Sequence, residues 1–388
     1  MNKSFMERLK VDKSFLERTG FSPYYLKIET ELGDKIRIED KEYINLASNN
    51  YLGLAADTRV KEKAKQAIDK YGVSLCGTPI ATGYIDLFVN TERRLSKFVG
   101  LPDTIILPSC YQANNGLFQT IATKDDIIIV DHYAHSSLIS GIRAVGCKIR
   151  PFLHNDMNHL EEVLKNSIKY KQAFVVTESV FSTEGSIAPF REIVELCSKY
   201  NGIPIVDDSH GIGVIGKTGK GILEEAGIEN FEGIYTASLG KALANQGGII
   251  SGTKEMIDYL RYYLPHLVYS TALTPATLGG TCAVIDIIDN EFESISKKMW
   301  DYKNKISKSL IEAGFEIGTG AAPITSIKTN SFNETLECAK NFYDNGILTT
   351  PFIEPSVPHN EGRVRLIAGA NLTEDTIDKA INIIKKVR

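Results

Sequence analysis

The middle of the chain alternates short, wholly apolar runs with stretches of helical periodicity. "DTIILPS" (103–109) precedes a helix expected from about Gln112, and "DIIIVD" (126–131) precedes "AHSSLISGIRAVG". "AFVVTES" (173–179) precedes "PFREIVELCSKYNG", and "IPIVDD" comes next. "GIYTAS" (233–238) is followed by "GGIISG" (247–252). Runs that are apolar at every position suit strands buried on both faces, as in parallel sheets covered by helices. This rhythm predicts a doubly wound α/β core. Upstream, "DKIRIEDKEYINLA" alternates apolar and polar residues, which suits an exposed β element, and 60–71 is helical in pattern. After Pro275 come long amphipathic helices, then "FEIGTG", "ITSIKT", "ILTTPF" and "RVRLIAG", with a last helix from Thr373. The expected division is an N-terminal helix and strands (1–46), a large domain (47–275) and an α+β C-terminal domain (276–388).

Composition adds limits rather than a function. The 388 residues are 43% hydrophobic and 24% charged, enough for a large core, and the net charge of −4 implies neither nucleic acid nor an anionic membrane as partner. The six cysteines are scattered without a C-x-x-C pair, so no zinc ribbon, redox dithiol or other metal site is indicated, and reduced thiols fit a cytoplasmic protein. "MNKSFMERLKVDKSF" lacks the apolar run of a signal peptide, and no segment reaches the roughly 18 uncharged apolar residues of a membrane span.

"GIGVIGKT" (211–218) matches both G-x-x-x-x-G-K-[ST] and G-x-G-x-x-G. Each motif needs a strand feeding the glycines and a helix starting at their end, so that free amides hold phosphate. Here Asp207 to His210 separate strand from glycines, and Gly219 and Gly221 follow, each costing a helix roughly 1 kcal/mol relative to Ala. The nucleotide-binding reading is the weakest of those open.

Ligands of open α/β sheets bind beyond the carboxyl ends of the strands. Those ends read Ser109-Cys110-Tyr111, Asp131 to His135, Glu178 to Ser182, Asp207 to His210, and Ser238-Leu239-Gly240-Lys241. Loop polarity accounts for any one of them, but less well for a set with three acids, two histidines and a lysine.

These segments, in this order, resemble the α-oxoamine synthases. Those are pyridoxal-phosphate enzymes of fold type I, the aspartate aminotransferase class, which join an amino acid to an acyl thioester with loss of carbon dioxide. The resemblance runs from "ASNNYLGLA" (47–55) through "PSCYQANNG", "DHYAHSSL", "TESVFSTEGSIAP", "IPIVDDSHGIGVIG" and "ASLGKAL" to "VYSTALTP" and "GRVRL". It implies a mainly parallel seven-stranded sheet with helices on both faces, and a cytoplasmic homodimer with shared active sites. Pyridoxal phosphate needs an amine to hold it as a Schiff base and a carboxylate to keep its ring nitrogen protonated. By resemblance these are Lys241 and Asp207. His135 would stack on the ring, and His210 would bond the ring hydroxyl, with Ser182 and Glu178 supporting that edge. Cys110 and Tyr111 amides, Ser238 and, across a dimer interface, Thr271 would hold the phosphate, and Ser209 would also contact the cofactor. Arg365 would grip the substrate carboxylate, while Arg363, its neighbour on an alternating strand, is expected to point the other way. Asn49 would frame the substrate entrance. The other histidines, His132, His154, His159, His266 and His359, are expected to be structural.

Three departures from the family pattern stand out. Cys110 replaces a usual glycine, which would be strained at positive φ. Pro79 stands for arginine and Phe88 for histidine, which bears on the preference for acyl donor or amino acid. Some spellings are closer to the autoinducer aminoketone synthases, others to the 8-amino-7-oxononanoate and 2-amino-3-ketobutyrate branches. The reading is an acyltransferase that makes an α-aminoketone and free coenzyme A (or carrier protein). The alternatives are 8-amino-7-oxononanoate synthesis for biotin, or a lyase or aminotransferase on the same fold.

Overall fold

The computed structural model describes residues 2–354, 356–358 and 360–387. Two short helices, Lys3–Glu7 and Ser14–Thr19, lead into an antiparallel pair, β1 (Lys35–Ile38) and β2 (Lys41–Asn45). The next strands are β3 (Asp103–Leu107), β4 (Ile127–Asp131), β5 (Lys148–Phe152), β6 (Ala173–Glu178), β7 (Gly202–Asp207), β8 (Ile234–Ser238) and β9 (Gly248–Gly252). They form one seven-stranded sheet in the order β3-β9-β8-β7-β6-β4-β5. β9 runs antiparallel to β3 and β8, and every other neighbouring pair is parallel. This is the mainly parallel seven-stranded sheet that the resemblance implies, with helices on both faces.

The continuous apolar runs follow from a core on each face. Ile127 and Ile129 of β4 and Val175 of β6 enter one hydrophobic cluster, while Ile128, Val130, Phe174 and Val176 enter the other. Successive side chains point to opposite faces, so a strand with helices on both sides has no polar face to show.

β5 has no counterpart among the strands expected above. Its residues, "KIRPF", are charged and include Pro151, and all but Phe152 are at least partly exposed. Such residues are tolerated at an edge, where one side of the strand needs no partner. The region after Pro275 also differs, because one helix, Pro275–Glu312, replaces several. Its first half packs Leu278, Val284, Ile288 and Phe292 into the large core. Its last turns deliver Tyr302, Ile306 and Leu310 to a third core, shared with Ile44 and Leu46.

The C-terminal strands are β10 (Thr325–Thr329), β11 (Ile347–Leu348), β12 (Thr350–Phe352) and β13 (Gly362–Leu366). β13 lies between β10 and β12, antiparallel to both, and β11 pairs in parallel with β2. Helix Glu374–Ile384 closes the described chain, with Thr373 as its N-cap. Among the described residues no helix is long and apolar enough to cross a membrane, and no cluster of His, Cys, Asp or Glu is arranged to hold a metal ion. The parallel strands β3, β4, β6, β7 and β8 bring their carboxyl ends to one edge of the sheet.

Candidate active site

β3 ends into helix Cys110–Ile121, whose N-cap Ser109 accepts the amide of Gln112. The helix begins two residues before the expected Gln112, so the amides of Cys110 and Tyr111 lie in the first turn, beyond the reach of any intrahelical carbonyl. Cys110 takes an ordinary negative φ, so the departure from glycine there carries no strain. Glycine is needed on β9 instead, for room: a Cβ on Gly248 would lie 2.3 Å from Cα of Cys110. Only glycine lets the helix start come so close to the sheet.

The acids lie at the ends of β6 and β7. Asp207 is buried; its Oδ1 accepts from Ser209 N (3.0 Å) and its Oδ2 from Nδ2 of Asn114 (2.6 Å). Glu178 is buried beside it and accepts the amide of His135 at 2.7 Å. Burial, and then the charge of Asp207, push the Glu178 pKa well up. His135 caps helix Ser136–Val145 by accepting Ser137 N on its Nδ1 (3.2 Å), and burial lowers its pKa. A ring nitrogen that accepts from an amide carries no proton, so His135 is the Nε2–H tautomer.

His210 is buried and neutral. Burial drives its pKa well down, helped by Lys241 and Arg365, and its Nδ1 shares a hydrogen bond of 2.8 Å with the Tyr51 hydroxyl. With the phenol as donor, the ring proton sits on Nε2. Lys241 lies in the turn after β8, where Ala244 N returns to its carbonyl (2.9 Å). Burial lowers its pKa against the pull of Asp207, Cys110 and Glu178. An amine that sheds its proton readily is a nucleophile and a base.

Arg365, on β13, is 5% exposed, and its Nη1 donates to Ser182 O at 3.2 Å. Its guanidinium lies 4.8 Å from the centre of the Phe352 ring, and its Nε is buried with no partner. Arg363 does not point the other way. Two residues apart on a strand means the same face, and both arginines reach the 182–184 segment: Arg363 pairs with Glu184 and Glu361, each at 2.7 Å. Arg363 is thus neutralised and Arg365 is not. Asn49 leaves its buried Oδ1 without a partner.

Ser209 Oγ lies 3.3 Å from the thiol of Cys110, and Ser238 Oγ accepts Gly240 N at 3.1 Å. Thr271 is exposed between helix Pro265–Val268 and the long helix, and no hydrogen bond among the described residues ties it to this group. The segment 77–83 runs beside it, with Ala272 N donating to Gly77 O. Pro79 opens a short helical turn there, whereas Phe88 is 1% exposed inside the large core, 5.6 Å from the Tyr84 ring. His154 is held between Asp131 (3.0 Å) and Ser186 (2.9 Å), and His159 accepts Leu153 N. His359 lies outside the described residues.

The "GIGVIGKT" glycines are turns, not the start of a helix. Carboxylate oxygens of Glu224 take the amides of Thr218 and Lys220, and Glu225 takes that of Gly216. The amides a nucleotide phosphate would need are already occupied by anions.

Tyr51, Asn114 and Thr236 were not singled out in the sequence, yet they contact the assigned residues. Asn114 had a signal: it follows Cys110 by four residues and so shares its helix face. Tyr51 stands two residues after Asn49 in a segment already noted.

The donor set fits pyridoxal phosphate. A nucleophilic amine, a carboxylate held by two donors, an imidazole N–H and free helix-start amides match a carbonyl, a pyridinium, a phenolic oxygen and a phosphate. The unpartnered Nε of Arg365 fits a carboxylate beside them.

Comparison with known proteins agrees. A model of the class I and II aminotransferases matches residues 41–384. An 8-amino-7-oxononanoate synthase of Thermoanaerobacter pseudethanolicus is 34% identical, covering 96% of this chain and 94% of its own. A serine palmitoyltransferase of Sphingobacterium spiritivorum is 30% identical, covering 96% and 93%. In fold, the chain resembles the solved serine palmitoyltransferase of Sphingomonas wittichii (TM-score 0.92, 24% identity, 100% and 96% covered).

Proposed function

The chain belongs to the class I and II aminotransferase family and, within it, to the α-oxoamine synthases. From this we propose that it joins a small neutral amino acid to an acyl thioester without a terminal carboxylate, releasing carbon dioxide, an α-aminoketone and a free thiol. Its membership makes it a pyridoxal-phosphate-dependent C-acyltransferase that condenses an amino acid with an acyl thioester. The observation that carries the finer reading is the buried, unneutralised Arg365 beside an amine with a lowered pKa. A buried charge without a partner is costly, so the site is built to receive a carboxylate.

Bound pyridoxal phosphate supplies a carbonyl to which amines attach and a protonated ring that draws electrons from Cα. Lys241 holds the carbonyl end and moves the proton at Cα. Asp207 would keep the ring nitrogen protonated, His135 would cover the ring face, and His210 would donate an N–H to the ring oxygen, an edge that Ser182 and Glu178 would support. The amides of Cys110 and Tyr111 hold the phosphate with Ser209 and Ser238. Arg365 reaches the amino acid's carboxylate from the 276–388 domain, Asn49 frames the entrance, and the 47–275 domain carries the cofactor. The net negative cluster of Glu184, Glu361 and Arg363 near Arg365 disfavours a second carboxylate on the amino acid.

Thr271 completes the neighbouring subunit's phosphate site in a homodimer. Its exposure supports this, as do Tyr262, Tyr263 and Tyr269, which are 67%, 62% and 83% exposed. Sedimentation should show a dimer, and a fully active monomer would contradict the shared site.

Pro79, in the turn beside Thr271, takes away a long polar side chain at that surface, so an apolar acyl chain is favoured. The name of the Sphingobacterium relative, with serine and a palmitoyl group, fits this preference. An apolar pocket separates neighbouring chain lengths only about 10–200-fold per methylene. Comparing kcat/KM for acyl thioesters of several lengths, with and without a terminal carboxylate, tests the choice. The expected order places uncharged chains ahead. A strong preference for a carboxylate-terminated donor would instead assign the chain to 8-amino-7-oxononanoate synthesis, the activity named for the Thermoanaerobacter relative.

A further inference from the structure

We infer that Asn114 is a positioning residue that ties Asp207 and His135, the groups placed at the ring nitrogen and the ring face, into one rigid hydrogen-bonded frame. The inference rests on the roles proposed above for those two residues. Asn114 is fully buried on helix Cys110–Ile121, between the ends of β4, β7 and β8. Every polar atom of its amide is engaged. Thr236 Oγ1 donates to its Oδ1 at 2.8 Å, while its Nδ2 donates to Asp207 Oδ2 at 2.6 Å and to Ser137 Oγ at 3.0 Å. Thr236 and Ser137 are themselves buried.

The chain of donors has one consistent direction. A carboxylate accepts only, so the nitrogen of Asn114 faces Asp207 and its oxygen faces Thr236. Ser137 Oγ accepts from Asn114 and is then left to donate its own proton to Nδ1 of His135, 2.8 Å away. That nitrogen also accepts Ser137 N, which holds His135 neutral with its proton on Nε2. Asn114 thus fixes which carboxylate oxygen of Asp207 is occupied and, through Ser137 Oγ, adds a second donor to the His135 nitrogen that the Ser137 amide already holds unprotonated. Cys110, one turn earlier on the same face, brings its thiol to 4.0 Å from the same Asp207 oxygen. A thiol at that distance is a weak donor, so the amide does the orienting.

The test compares parent, Asn114→Leu, Asn114→Asp, Thr236→Val and Asp207→Asn proteins. Each apoprotein is titrated with pyridoxal phosphate across a pH series, and binding and the visible band are recorded. The apoprotein melting temperature is measured alongside. Removing a buried hydrogen bond to a charged group should weaken cofactor binding by about ten- to a hundredfold in Asn114→Leu. Thr236→Val frees the amide to turn and should act in the same direction, less strongly.

Asn114→Asp is the discriminating variant. Its carboxyl would face Asp207 at hydrogen-bond distance, and two such groups cannot both ionise cheaply. At low pH the shared proton imitates the lost donor, so binding should approach that of the parent, and it should fall away as pH rises while the parent changes little. A merely structural residue would give a lower melting temperature without that pH-dependent recovery. If Asn114→Leu does not fold, Asn114→Asp and Thr236→Val carry the comparison. Parent-like binding and pH behaviour in the Asn114 and Thr236 variants, with Asp207→Asn impaired, would overturn the inference. Parent-like behaviour in Asp207→Asn would instead remove the role given to Asp207, and with it the basis of the inference.

Discussion

Replacing Lys241 by alanine should leave a folded protein that binds pyridoxal phosphate weakly and shows little of the parent's visible absorbance. Turnover should fall by roughly a hundred- to ten-thousandfold from the loss of proton transfer at Cα alone, and further because the carbonyl end loses its tether. The size of the effect follows from the surroundings. Burial lowers the pKa of this amine while Asp207, Cys110 and Glu178 pull it back up, so it gives up its proton more readily than an exposed lysine and can serve as nucleophile and base. An exposed lysine would stay protonated and solvated. Borohydride reduction of the parent followed by peptide mapping locates the tether. The cofactor should be found on Lys241, and a label on any other lysine would contradict the assignment.

The second large effect is expected at Asp207. Asn at this position keeps the shape but cannot hold a proton on the pyridine nitrogen. An ion partner within reach shifts a pKa by about 1–3 units, so its loss leaves the ring neutral and a poor electron sink. Removing one preorganised charge partner of this kind costs about a hundred- to a thousandfold in kcat. Stability should fall too, because both oxygens of Asp207 accept from donors, Ser209 N and Asn114 Nδ2. An asparagine can satisfy only one of them, leaving a donor facing a donor at a cost of about 1–3 kcal/mol. Steady-state kinetics and thermal melting of Asp207→Asn check both parts. Turnover near that of the parent would rule out this role.

The large sheet was readable in the sequence because its strands lie between two cores. The unbroken apolar runs "IIIV" and "AFVV" reflect burial on both faces, and the polar residues that end these strands gather at one edge. β5 escaped for the same physical reason turned round. At an edge a strand can afford Lys148, Arg150 and Pro151, and with them it loses the apolar pattern. Arg363 was legible and the expectation miscounted it: residues two apart on a strand share a face, which puts it beside Arg365. What separates the two is Glu184 and Glu361, acids no local rule connects to them.

Phe88 is expected to alter substrate choice and Cys110 to strain the backbone. Phe88 is packed against the core, and Cys110 opens a helix without strain. Asn114 and Tyr51 were hidden because their partners lie 93 and 159 residues away. A buried amide or phenol looks like any other polar residue until the sheet brings its partner to it.

The most direct test of the condensation combines an amino acid labelled in its carboxyl carbon with an acyl thioester. Labelled carbon dioxide, free thiol and aminoketone are then measured in one reaction. The account predicts equimolar release of all three, and at least about a hundredfold slower release from Lys241→Ala. Free thiol without labelled carbon dioxide, or amino-group transfer to a keto acid with the thioester untouched, would contradict it.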